Sequence, residues 1–239
     1  MAKAGRAVRV LAGTSGFSYP AWRGTFYPED LPTKGMLAFY AKALATVEIN
    51  HTFHRLPTAD LLTGWSRQVP ASFRFALKAP QRITHFMRLK DAGELTQRFC
   101  ELATTLGTKL GPLLFQLPPH LRADHARLEA FLATLPSGLE PAFEFRSPTW
   151  FVDATYEILA RHRASLCIAD ADELTTPPVA TAPFAYLRLR RTEYDDAALD
   201  AWAARLREEP RWKRAYVYFK HEDSGRGPAL AKALLARLS

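Results

Sequence analysis

Thr46-Val47-Glu48-Ile49-Asn50 is the stretch from which the fold can be read. An extended backbone turns successive side chains to opposite faces. Val47 and Ile49 therefore share one side, while Glu48, Asn50 and, further on, Thr52 share the other. The same parity returns at 141–146, where Phe143 and Phe145 oppose Glu144 and Arg146, and at 184–190, where Leu187 and Leu189 oppose Arg188 and Arg190. Each of these segments has an apolar row that must be buried and a polar row that gathers toward its C-terminal end.

On either side of this stretch, strand-like runs are expected, giving with it the set 8–13, 46–50, 73–78, 111–116, 141–146, 165–170, 184–190 and 215–220. Between them, apolar residues recur at helical spacing over 35–44, 94–106, 124–135, 153–162, 195–208 and 229–238. Parallel strands need crossovers of about a dozen residues or more, and such crossovers are usually helical. Eight strands separated in this way over 239 residues predict an α/β fold, a closed (β/α)8 barrel of parallel strands with outer helices. A doubly wound open sheet is the alternative, but Gly13-Thr14-Ser15-Gly16 after the first strand lacks the full GxGxxG phosphate fingerprint. No repeat, low-complexity tract or linker divides the chain, so 1–239 is expected to form one domain, with the proline-rich 175–183 a loop before strand seven.

Composition removes several classes of protein. With 48% hydrophobic and 23% charged residues, the chain is neither a disordered tail nor a fibre. Cys100 and Cys167 stand far apart without CxxC spacing, which fits a reducing cytoplasm better than a disulfide scaffold. Met1 to Gly5 carries no apolar leader, and no run is apolar enough to cross a membrane. The net charge of +8 admits anionic partners, although no long Lys/Arg block marks a nucleic-acid tail.

In a closed barrel the apolar rows meet the helices, and the polar rows point into the C-terminal mouth, where barrel enzymes keep their chemistry. Glu48, Glu144 and Asp170 are expected there against Lys78, Arg146, Arg188, Arg190 and Lys220, with Asn50 and Gln116 beside them. Five cations facing three acids favour an anionic ligand. Glu48, Glu144, Lys78 and Asp170 are the candidate catalytic groups, the two glutamates acting as acid and base. Simple ion pairing that seals the barrel is the competing reading.

The three acids with His51, His54, His85 or His221 offer possible metal ligands. No HExxH spacing supports them and the neighbouring cations would repel a dication, so no metal site is assigned. Lys220 to Pro228 joins the last strand to the last helix. Its Gly225 and Gly227 suit either a phosphate-binding helix start or an ordinary turn. Tyr19, Trp22 and Trp150 follow strand ends and can stack on a ligand or cap the barrel.

Several motifs in order resemble the DUF72 family, also called YecE-like. They are Gly13 to Tyr19 with Trp22, Gly24, Phe26, Tyr27 and Pro28; Val47-Glu48-Ile49-Asn50 with Thr52 and Phe53; Phe75 to Lys78 with Ile83-Thr84-His85; Gly111 to Pro118; Phe143 to Arg146 with Trp150; Tyr186 to Arg188; and Tyr216 to Lys220. The resemblance covers almost the whole chain. It implies a TIM-like barrel distantly similar to sugar isomerase and endonuclease barrels, and it marks Glu48, Asn50, Lys78, Gln116, Glu144, Arg146 and Arg188 as site residues. The chain departs from the family pattern at His51 and His54, where Ser and Tyr are common, at Arg190-Arg191 in place of His-Gly, and at Lys220-His221 in place of an Asn pair.

The leading expectation is an isomerase- or hydrolase-like enzyme for a small anionic or polyhydroxylated substrate, with its cofactor and oligomeric state unassigned. Alternatives are a nucleic-acid-binding or endonuclease-like barrel that reads phosphates, and a noncatalytic scaffold.

Overall fold

The computed structural model describes residues 8–239, so Met1 to Gly5 lies outside the described residues. Eight strands close a ring in sequence order: β1 (Arg9–Ser15), β2 (Thr46–Ile49), β3 (Arg74–Lys78), β4 (Leu110–Gln116), β5 (Pro141–Glu144), β6 (Ser165–Asp170), β7 (Phe184–Leu189) and β8 (Arg214–Phe219). Every pairing is parallel, and β8 closes on β1 through Leu11↔Tyr216 and Gly13↔Tyr218.

The ring is jacketed by helices α1 (Met36–Ala43), α2 (His51–His54), α3 (Ala59–Arg67), α4 (Gly93–Thr104), α5 (His125–Leu132), α6 (Asp153–Arg161), α7 (Asp196–Glu208) and α8 (Arg226–Leu238). Asp124 and Asp195 accept from the backbone N–H groups of Arg127 and Ala198, capping α5 and α7. Between β2 and β4, the short α2, α3 and a single π turn at Arg82–Phe86 lie outside the helical periodicity of the sequence. Among the described residues no helix crosses from β6 to β7. The proline-rich loop makes that connection, and Thr181 within it binds the backbone of Ala164 and Leu166.

Strand parity sorts the core into two compartments. Outward side chains such as Val47, Ile49, Phe143, Leu166, Ile168 and Leu187 join the large cluster beneath the helices. Inside the ring, Leu11, Ala76, Leu114, Ala142, Cys167 and Phe184 fill the lower barrel with Tyr186, Tyr216 and Tyr218. Small residues on β3, β5 and β6 leave room for the three tyrosines, so the interior is packed rather than hollow. Above that layer the inward positions turn polar. Among the described residues, no helix is long and apolar enough to cross a membrane.

Candidate functional site

One buried guanidinium organises the mouth. Arg188, inward on β7 and 3% exposed, donates from Nη1 to Glu144 Oε2 at 2.7 Å and from Nη2 to Glu48 Oε1 at 2.9 Å. Glu48 also accepts from the Ser15 hydroxyl and, at 2.7 Å, from Tyr186. Glu144 further accepts from Gln116 at 2.9 Å and Arg190 at 3.1 Å. Asn50 donates to Ser15 Oγ at 2.8 Å. Five strands of the ring, β1, β2, β4, β5 and β7, thus meet around two carboxylates, both without solvent-exposed surface.

Burial alone pushes the Glu48 carboxyl up. The Arg188 charge and hydrogen bonds from Ser15, Tyr186 and Arg188 outweigh it and hold the group below its ordinary value. Glu144 meets the same opposition of burial against Arg188 and Arg190, and is pulled down to about 2. Both glutamates are therefore ionised and bonded at neutral pH, and their oxygens are already occupied. This is the geometry of a fixed base plate.

Lys78 is different. It is 8% exposed at the end of β3, with its ammonium 3.8 Å above the Phe53 ring. No carboxylate pairs with it among the described residues. Burial and the neighbouring Arg188 charge push it down to about 8, although Glu48 and Glu144 pull in the other direction. It lines a cavity of about 370 Å³ together with Tyr19, Asn50, Gln116, Arg146, Arg188, Arg190 and Lys220. A second cavity of about 560 Å³, toward the β7 and β8 loops, shares Arg146, Arg190, Lys220 and Glu222 with the first.

The structure separates three of the expected site residues from this mouth. Asp170 shares parity with Leu166 and Ile168 and points outward, where it accepts from Arg191 Nε at 2.8 Å, Tyr194 at 3.1 Å and Trp202 at 3.2 Å. The inward residue beside it is Ala169. Trp22 is fully buried and donates to the Glu222 carbonyl at 2.8 Å, tying the β1 and β8 loops together. Trp150 stacks 4.5 Å from Phe145 and donates to the Leu121 carbonyl at 2.9 Å. These two indoles cap the barrel and do not line the cavity.

The α8 start is also filled. Gly225 adopts a left-handed φ of 70°. A Cβ there would meet Thr25 Oγ1 at 2.6 Å, and one on Gly227 would meet the His221 carbonyl at 2.8 Å. Close loop packing accounts for both glycines. Among the described residues, no three His, Cys, Asp or Glu side chains gather as a metal cluster.

Three residues of the candidate site escaped the sequence reading: Ser15, Tyr186 and Glu222. Ser15 follows Leu11 and Gly13, and Tyr186 precedes Arg188, on the inward parity of their strands, so alternation was the signal for both. Glu222 sits in the loop after β8, where alternation says nothing.

A ring of parallel strands whose C-terminal ends enclose ion-paired carboxylates and unpaired cations defines a (β/α)8-barrel protein with a charged mouth. Residues 11–239 match the family described as "Protein of unknown function DUF72", and the chain belongs to that family. UPF0759 protein YecE of Escherichia coli K12 is 29% identical over 119 residues, 49% of this chain and 44% of that protein. UPF0759 protein YunF of Bacillus subtilis 168 is 25% identical over 141 residues, 56% of this chain and 50% of that one. The match thus spans about half the length of these relatives.

Among solved structures, a DUF72 family protein from Thermotoga maritima is similar with a TM-score of 0.84 at 28% identity, covering 95% of this chain and 99% of that chain. Another, from Enterococcus faecalis, gives 0.79 at 19% identity, with 96% and 95% covered. The second likeness is one of fold.

Proposed function

We propose that the mouth is the active site of an enzyme acting on a small anionic, polyhydroxylated molecule in isomerase- or hydrolase-like proton-transfer chemistry, with Lys78 as the acid/base. The observation that carries this reading is the division of labour among the charges. Glu48 and Glu144 are consumed by Arg188, whereas Lys78, Arg146 and Lys220 face the cavity without carboxylate partners among the described residues.

A base must reach the proton it takes, and two carboxylates with no exposed surface do not. Lys78 lines the cavity, and an amine titrating near 8 exchanges protons readily at physiological pH. Arg146, Arg190 and Lys220 supply the anion-binding edge, while Asn50 and Gln116 offer amides to hydroxyl groups. Cavities of about 370 and 560 Å³ suit a small molecule better than a nucleic-acid duplex. Buried, unpaired Cys100 and Cys167 support a reducing, cytoplasmic setting.

Thermal unfolding with ribose 5-phosphate, ribose and inorganic phosphate tests the reading. A ligand at a hundredfold its Kd stabilises by about 2.7 kcal/mol, roughly 5–10 °C for a chain of this size. We expect that shift with the sugar phosphate, a smaller one with phosphate, and its loss in the Arg146→Ala, Lys220→Ala double variant. Equal melting temperatures under all three conditions would overturn the proposal.

A further inference from the structure

We infer that Lys78 is a covalent nucleophile, forming an imine with the carbonyl carbon of a small aldehyde or ketone that carries a phosphate or carboxylate. This rests on the anion-binding reading of the mouth and names the substrate class within it.

The geometry separates Lys78 from an ordinary structural lysine. A buried lysine normally ends on a carboxylate, and two carboxylates lie in this barrel, yet both are occupied by Arg188 and its neighbours. Lys78 instead has an aromatic face below it at 3.8 Å and cations around it, with Arg188, Arg190 and Lys220 lining the same cavity. A desolvated amine beside other cations is the environment that favours its neutral, nucleophilic form. Lys220 shares the cavity but stands exposed, so its amine lacks the dry surroundings of Lys78.

The same cations that disfavour charge on Lys78 attract the substrate's anion. Placement follows: the anionic end lies toward Arg146, Arg190 and Lys220, and the carbonyl toward β3. The neutral amine attacks the carbonyl carbon, forming the C–N bond as the carbonyl π electrons move to oxygen, which takes a proton from solvent. The carbinolamine then loses its hydroxyl with a second proton as water. Its nitrogen retains one proton, and the product is a protonated imine whose positive charge draws electrons from the adjacent carbon. No oxidant or reductant is consumed, and hydrolysis reverses the step.

Reductive trapping tests the assignment on the intact protein. The chain is incubated with dihydroxyacetone phosphate, and separately with pyruvate, in the presence of sodium cyanoborohydride, and digested peptides are weighed by mass spectrometry. The expected result is about one adduct per chain, at Lys78. It forms at least tenfold faster than at any other lysine, is slowed by inorganic phosphate, and is absent from Lys78→Arg.

Adducts spread evenly over exposed lysines, or an unmodified Lys78, overturn the covalent role. If ribose 5-phosphate still raises the melting temperature in that case, anion binding stands and the imine alone is lost. Absence of both results removes the parent reading as well. Mapping on the unaltered chain keeps the outcome independent of whether the variant folds.

Discussion

At the scale of single residues, Lys78 has a measurable cost to the fold. Its surroundings are Glu48 from β2, Glu144 from β5, Arg188 from β7, Lys220 from β8 and His85 on the adjoining loop. Burial and Arg188 lower its proton affinity from the ordinary 10.5 to about 8. Between those values the unfolded chain binds more protons than the folded one, so stability rises with pH through that window and the penalty is fully present below pH 8. Replacing the ammonium with an apolar side chain of similar length removes the penalty. Lys78→Met should therefore gain about 1–3 kcal/mol at pH 7, an advantage that fades between pH 8 and 10.5. Urea denaturation at pH 7 and pH 10.5 measures it. A variant less stable than the parent at pH 7 would show that the ammonium is favourable where it sits.

At the scale of elements, β6 shows what alternation can and cannot decide. Asp170 ends its strand as Lys78 and Gln116 end theirs, but Leu166 and Ile168 put it on the outward row, where it anchors α7 through Trp202 and the following loop through Arg191 and Tyr194. Asp170→Ala leaves those donors without their acceptor and should cost about 2–4 kcal/mol in chemical denaturation. The sugar-phosphate thermal shift should remain. Loss of that shift in a folded variant would place Asp170 in the site after all. The strand positions, the closed ring and most of the charged mouth were legible in the sequence because hydrophobic alternation reports burial directly. Asp170 was misplaced by weighing strand-end position above parity. Trp22 and Trp150 were beyond such a reading, since whether a loop indole caps a barrel or faces its cavity depends on which distant carbonyl accepts its N–H. The ionised state of Glu48 and Glu144 was equally hidden, because it depends on Arg188 reaching both from another strand.

At the scale of the whole molecule, Arg188 is a cross-brace that joins carboxylates of β2 and β5 from β7, so the ring's closure and its acid stability are coupled. Glu144 is held at about 2 against an ordinary 4.5. A group with lowered proton affinity in the fold stabilises it above its unfolded value and loses that contribution as pH falls toward the folded one. The Glu144 contribution is of order 3 kcal/mol, present above about pH 5 and lost progressively toward pH 2. Removing the cation reverses the dependence. Arg188→Met leaves two buried carboxylates sharing a dry interior, which should destabilise the chain by about 3–5 kcal/mol at pH 7. Protonation relieves that repulsion, so the deficit relative to the parent should narrow as pH drops from 7 to 4, while the parent itself weakens. Denaturation midpoints of both proteins across pH 3–8 test the coupling. Parallel curves, with a deficit independent of pH, would mean that Arg188 contributes packing alone and that the carboxylates do not depend on its charge.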